Sequence, residues 1–195
     1  MIVIIAPETS IANETSFVNS FFENGLDFFH VRKYEFSDEE MQNYLNEIDD
    51  KFRNLTVLHS HFYLAGEFGV RRLHVREKER IKKPYLDYES YQLSTSVHDV
   101  EDFNTLGESW QYAFLSPVFP SISKSGYGNN QTVLNELKKK NNPYVQLIAL
   151  GGIQAENCQQ VLDSGADGIA LLGSIWQSSN PLNSFLACRK AVQQY

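Results

Sequence analysis

Residues 145–176 read VQLIALGGIQAENCQQVLDSGADGIALLGSIW, and no other stretch constrains the architecture as tightly. An apolar run from Val145 to Leu150 stops at Gly151-Gly152, and a stretch with helical spacing follows from Gln154 to Asp163. After a turn at Ser164-Gly165, a second apolar run, Gly168 to Leu172, ends in Gly173-Ser174. The order is strand, glycine loop, helix, strand, glycine loop, with a new helix starting at the second loop. Two neighbouring strands that end in glycines leave bare backbone N–H groups facing one small volume, and such nests bind phosphate. In a (β/α)8 barrel the loops after the seventh and eighth strands hold phosphate this way. The competing reading is an ordinary βαβ unit whose glycines only make tight turns.

Outward from this unit the same alternation continues. By their period, the segments 2–6, 27–32, 55–59, 71–75, 91–97 and 112–115 read as the first six strands. Helical segments between them cover 14–24, where Phe17, Phe21 and Phe22 share a face, the segment after Ser37, the short stretch 62–68, then 99–108 and 130–140. Ser37 reads as a helix cap, with Glu39 and Glu40 in the first turn. The charged segment 76–83 reads as a loop with at most one helical turn, and a final helix covers 181–194. Strands separated by helices make a parallel sheet, and eight units favour a closed barrel over an open sheet. The predicted fold is therefore an α/β, single-domain (β/α)8 barrel over residues 1–195. The longest irregular piece, 117–128, follows strand six, where a barrel carries its lid or catalytic loop.

Composition agrees. The chain has 195 residues with 42% hydrophobic content, including 13 Phe and 10 Tyr, which predicts a dry and aromatic interior. Its net charge of −7 argues against nucleic acid or an anionic membrane as partner, so an anionic ligand needs a local positive site. Cys158 and Cys188 fall on predicted helices without metal-ligand spacing and read as reduced, buried cysteines of a cytoplasmic protein. The opening MIVIIAPETS lacks a basic region and is too short for a membrane span, so it reads as the first strand.

The histidines carry the chemistry. His30, His59, His74 and His98 sit at or near the ends of predicted strands two to five, and His61 follows His59 by two residues. All five are expected at the barrel mouth, with Arg32 on the same side as His30 because side chains alternate along a strand. Three roles compete: metal ligation, in which His59-x-His61 supplies two ligands; general acid–base catalysis; and simple hydrogen bonding to substrate or backbone. Lys124 on the long loop either closes over an anion or is an ordinary solvent-exposed lysine, and taken alone it favours the second reading.

Several of these pieces, taken in order, resemble the thiamin phosphate synthase and TenI family. The strand-two Gln-Leu-Arg followed by Lys is matched by His30-Val31-Arg32-Lys33, and the strand-four Val-His-Leu by Leu73-His74-Val75. Ser96-Val97-His98 matches Ser-x-His, and the loop Gly-Pro-Val-Phe-Pro-Thr-x-Thr-Lys is matched from Ser116 to Lys124. Ala149 to Ile153 and Gly165 to Gly168 complete the series, which spans about residues 27 to 176. The resemblance implies a barrel that joins a pyrimidine diphosphate to thiazole phosphate, with Mg2+ neutralising the diphosphate and homo-oligomer formation left open. It further implies Arg32, Lys124, His30 and His98 as the catalytic set. It places His74, Ser96, Ser121, Ser123, Gly151, Gly152, Gly173 and Ser174 on the substrates and their phosphates.

The departures fall in one half of that pattern. Where the synthases carry Asn-Asp after strand three, this chain has His59-Ser60, and a serine lacks the anionic oxygen that magnesium prefers. After strand four, Gly-Gln-x-Asp becomes Arg76-Glu77-Lys78-Glu79, so Glu79 is the remaining candidate metal ligand, crowded by Arg76 and Lys78. Lys33 stands one position early and is expected to point away from Arg32. His30 in place of Gln leans toward the TenI branch, the thiazole tautomerases, yet their catalytic histidine on the strand-six loop is Pro117 here. Four readings stay open: the synthase reaction, a TenI-like tautomerase, a non-catalytic thiazole or thiamin phosphate binding protein, and a histidine-ligated metal hydrolase on a similar barrel.

Overall fold

A computed structural model describes residues 1–82, 88, 90–119 and 132–193. Its strands are β1 (Ile2–Ile5), β2 (Phe28–Val31), β3 (Thr56–Leu58), β4 (Arg72–Val75), β5 (Gln92–Val97), β6 (Trp110–Leu115), β7 (Gln146–Leu150) and β8 (Gly168–Leu171). They pair in sequence order, all parallel, and β8 returns to β1 with Ile2 opposite Ile169, closing the barrel. Strands buried on both faces must be apolar along their whole length, and the Ile-Val-Ile-Ile of β1 is buried at every position.

The helices are α1 (Glu14–Glu23), α2 (Asp38–Glu47), α3 (Glu77–Lys82), α4 (Val100–Asn104), α5 (Thr132–Glu136), α6 (Cys158–Asp163), α7 (Gly173–Trp176) and α8 (Pro181–Gln193). Two separate apolar layers result. An inner cluster of Val3, Ile5, Phe28, Val57, Tyr112, Phe114, Ile148 and Ala170 fills the barrel, while a larger outer one joins the strands to the helices. The inner cluster plugs the lower barrel, where Phe28 and Tyr112 stack with centroids 5.8 Å apart. Cys158 and Cys188 are both free and buried on α6 and α8.

Several helices are shorter than their periodicity predicts. The helix after β7 starts at Cys158 rather than Gln154, because Asn157 ties up the intervening turn. Its Oδ1 accepts from the Gln154 N–H at 2.9 Å, and its Nδ2 donates to the Gly152 carbonyl at 3.0 Å. Likewise α4 stops at Asn104, four residues early, where the Thr105 hydroxyl donates back to the Asp102 carbonyl at 2.7 Å. The segment after β4, read from sequence as a loop with at most one helical turn, forms the six-residue α3. Arg80 of α3 pairs with Glu77 at 3.8 Å and with Asp102 at 2.5 Å, and this second, long-range pair holds the helix against α4.

Candidate active site

Because side chains alternate along a strand, the inward positions form layers above the apolar plug. On β2 and its extension they are Phe28, His30 and Arg32; on β4, Arg72, His74 and Arg76; on β5, Ser94 and Ser96; on β6, Tyr112 and Phe114. The plug is therefore followed by a layer of imidazoles and hydroxyls, and that layer by two guanidiniums nearer the rim.

Within the imidazole layer His30, His59 and His74 converge. His30 Nδ1 lies 2.8 Å from His59 Nε2, and His30 Nε2 lies 2.7 Å from the Tyr112 hydroxyl. His59 Nδ1 meets the Tyr34 hydroxyl at 3.2 Å, while the His59 and His74 rings stack at 4.2 Å. His74 bonds Ser94 Oγ and Ser96 Oγ, each at 3.0 Å. All three imidazoles are buried, at 5% exposure or less. Burial in this apolar surround disfavours the charged ring and holds His30 and His59 well below the ordinary histidine range. His74 is lowered to about 3, by burial first and by the Arg32 and Arg76 charges second. Burial likewise raises the Tyr112 phenol. The layer is thus uncharged at neutral pH.

The other two histidines follow the ends of β3 and β5 on the same face without joining this layer, so three imidazoles meet inside the barrel and two stand apart from them. The expectation for His61 assumed that the strand ran on past His59. The chain instead leaves β3 at Leu58, and His61 adopts a left-handed conformation (φ 53°). That conformation puts its ring beside Ser60 Oγ at 2.9 Å and Asp38 at 3.7 Å. His98 is half-exposed at the rim, its Nδ1–H donating to the Ser116 carbonyl at 2.9 Å and its Nε2 3.6 Å from Glu77. It follows β5 beyond the last paired residue, which carries it out past Ser96 toward α3.

Arg32 reaches Glu8 at 3.6 Å, and its buried Nε has no hydrogen-bond partner among the described residues. Arg76 lies over the Tyr34 ring, 4.7 Å from its centroid, and donates through Nε to Glu79 Oε1 at 2.8 Å. Glu79 is therefore held by a guanidinium, and its Oε2 also accepts from the Arg76 backbone N–H at 3.2 Å. Ser60 Oγ donates to the Lys33 carbonyl at 3.1 Å. Among the described residues this half of the mouth offers magnesium no free carboxylate, so the residues present do not fit that ion. Lys33 points outward as its register predicts: its fully buried Nζ is 2.8 Å from Glu14.

Across the mouth, Gly151 and Gly152 have φ of +106° and +63°, a conformation that disfavours side chains. A Cβ on Gly151 would lie 3.0 Å from Pro117 Cα, so the loop after β6 packs directly on the loop after β7. Val118 and Phe119 continue that contact by donating to the Leu150 and Gly151 carbonyls at 3.0 and 3.1 Å. The neighbouring Gly173-Ser174 turn is braced by Trp176 of α7, whose Nε1–H donates to the Ile5 carbonyl of β1 at 2.7 Å. Ser174 Oγ is buried without a hydrogen-bond partner among the described residues. Ser121, Ser123 and Lys124 lie outside the described residues.

The structure thus brings His30, His74 and Ser96 together, with Arg32 above them by register. Gly151, Gly152, Gly173 and Ser174 share the adjoining β7–β8 edge of the same face, while His98 and Glu79 are engaged elsewhere. Sequence reasoning did not place Tyr34, Ser94 and Tyr112 against the imidazoles. The alternation that put His30 and Arg32 on one side also turns Tyr112 inward, two residues before Phe114, and was the available signal.

A closed parallel barrel with glycine loops after β7 and β8 and cations after β2 and β4 defines a class, the single-domain (β/α)8 barrels. The thiamine monophosphate synthase family model (TMP-TENI) matches residues 1–175. The chain belongs to that family. It is 26% identical over 163 residues to the thiamine-phosphate synthase of Listeria innocua, covering 80% of this chain and 72% of that one. Among solved structures, the thiamine phosphate pyrophosphorylase of Bacteroides thetaiotaomicron superimposes with a TM-score of 0.79 at 28% identity, covering 99% of this chain and 97% of that one. The thiamine phosphate pyrophosphorylase of Pyrococcus furiosus does so with a TM-score of 0.78, covering 99% and 95%, and at 19% identity this likeness speaks for the fold alone.

Proposed function

We propose that this barrel acts in thiamin biosynthesis by transferring the pyrimidine group of a pyrimidine diphosphate onto thiazole phosphate, with release of pyrophosphate. The observation that carries this reading is the presence of two different anion-reading devices on one barrel face. The loops after β7 and β8 offer backbone N–H groups and the unpartnered Ser174 Oγ, a set suited to the monophosphate. The ends of β2 and β4 offer Arg32, with its unpartnered Nε, and Arg76, a pair suited to a diphosphate. As the bond to the pyrimidine methylene breaks, negative charge grows on the departing diphosphate, and fixed guanidiniums stabilise it there. In this reading Arg76 exchanges its Glu79 partner for the diphosphate and so stands in for the charge that a divalent ion would supply, and no step passes through magnesium. Family membership and the named relatives support the same substrates.

A second reading, the TenI-like tautomerase, is favoured by the hydrogen-bonded chain from Tyr112 through His30 and His59 to Tyr34, a route along which a proton can pass.

Thiochrome fluorescence distinguishes the two when the purified chain is mixed with pyrimidine diphosphate and thiazole phosphate. Steady formation of thiamin phosphate supports the transfer. No product beside an active control enzyme, together with turnover of a thiazole carboxylate phosphate isomer, would replace it with the tautomerase.

A further inference from the structure

We propose that His30, His59 and His74 form a binding site inside the barrel for one divalent transition-metal ion of the zinc type. Each residue offers a ring nitrogen, and the three nitrogens lie within 4.8 Å of one another. A tetrahedral ion about 2.1 Å from each ligand holds those atoms about 3.4 Å apart. That spacing lies between the 2.8 Å His30–His59 contact and the 4.8 Å bound. Modest ring rotations, with no strand movement, would seat the ion. The ligands come from the ends of three adjacent strands, β2, β3 and β4, whose pairing fixes their backbones.

The surrounding hydroxyls are arranged as such a site requires. A metal-bound imidazole keeps its second nitrogen on a hydrogen-bonding partner, which fixes its orientation. When His30 gives Nδ1 to the ion, Nε2 keeps Tyr112; when His59 gives Nε2, Nδ1 keeps Tyr34. His74 has a serine hydroxyl on each nitrogen, so it can turn one inward and keep the other. The freed hydroxyl then borders the fourth coordination position. Three neutral nitrogens and no carboxylate select zinc, cobalt or nickel over magnesium and calcium. They also leave the ion's double charge uncompensated by its protein ligands, so the fourth ligand is an anionic oxygen, hydroxide or a group of the bound substrate. This site goes beyond both functional readings and depends on neither.

The test titrates the full chain, stripped with a chelator, with Co2+ and follows visible absorption, with Zn2+ displacement and elemental analysis for stoichiometry. One ion per chain with a four-coordinate cobalt spectrum is expected. His59→Gln should abolish it while the metal-free protein keeps its unfolding temperature, and His61→Ala should leave it intact. Loss of an orienting hydroxyl costs about 10–100-fold in affinity, so loss of a ligand should exceed that. Should His59→Gln fail to fold, His74→Asn carries the same readout. Absence of saturable binding in the wild-type chain, or binding that survives both His59→Gln and His74→Asn, overturns the proposal.

Discussion

Gly152 shows how much a single residue constrains the loop after β7. Its φ of +63° lies in the left-handed region, where a β-branched side chain is strained by about 1–2 kcal/mol. Its carbonyl is already held by Asn157, so the loop has little freedom to relax. Gly152→Val should therefore abolish measurable binding of thiazole phosphate while the far-ultraviolet spectrum stays that of the wild type. Isothermal titration calorimetry is the check, and unchanged affinity would remove the glycine loops from the site. The imidazole layer makes the converse point. His30, His59 and His74 are tolerable in the interior because hydroxyls and a neighbouring ring satisfy their nitrogens, which an isolated buried histidine would lack.

Between elements, the buried pair Lys33–Glu14 joins segments around the mouth. Glu14 also accepts from the Tyr44 hydroxyl at 2.6 Å, and Lys33 donates to the Thr9 carbonyl at 2.9 Å. One buried cluster thus ties the end of β2 to α1, α2 and the loop after β1. Removing one member of a buried pair strands the other, typically at about 3–5 kcal/mol. Glu14→Gln should lower the unfolding free energy by that amount in urea denaturation, and a Glu14→Leu/Lys33→Met double variant should recover part of it. The N-terminus of α2 is stabilised differently. Ser37 Oγ accepts from the Glu40 N–H at 3.3 Å, and the Glu40 carboxylate accepts from the Ser37 N–H at 2.7 Å. That backbone bond, with the Ser37 hydroxyl second, holds the Glu40 carboxyl below its usual range. Its stabilisation is therefore present above the ordinary carboxylate pKa and fades as pH falls through the lowered value. Glu40→Ala should cost a few degrees of melting temperature at pH 7 and distinctly less in acid, as read by thermal denaturation.

For the whole molecule, closure of the barrel brings residues distant in sequence to one face: Arg32 and Arg76 on one arc, Gly151 and Ser174 on the other. If the guanidiniums carry the diphosphate charge, Arg76→Ala should reduce kcat/KM for the pyrimidine substrate by about 10²–10³-fold, the range for losing one charge-stabilising donor. Affinity for thiazole phosphate should change little. Activity should also survive EDTA; a strict magnesium requirement would instead assign the charge to an ion and relegate Arg76 to holding Glu79.

Much of this architecture was written in local pattern. Strand-period segments of four to seven residues separated by amphipathic stretches specify parallel strands and helices, because those periods follow from backbone geometry alone. The order of the two glycine loops, one after each of the last two strands, is legible in the same way. Lys33 facing away from Arg32, and the cap at Ser37, follow from the same local rules. What local pattern leaves open is where strands stop and whose side chains meet. His59 and His61 look equivalent at a spacing of two, yet the chain turns at His61, and only one of them reaches the interior. Glu79 looks free for a metal until α3 folds it back onto Arg76. The trio His30, His59 and His74, with Tyr34, Tyr112 and two serines around it, exists only in the closed barrel, since register between non-adjacent segments is set by packing rather than by any one segment's composition.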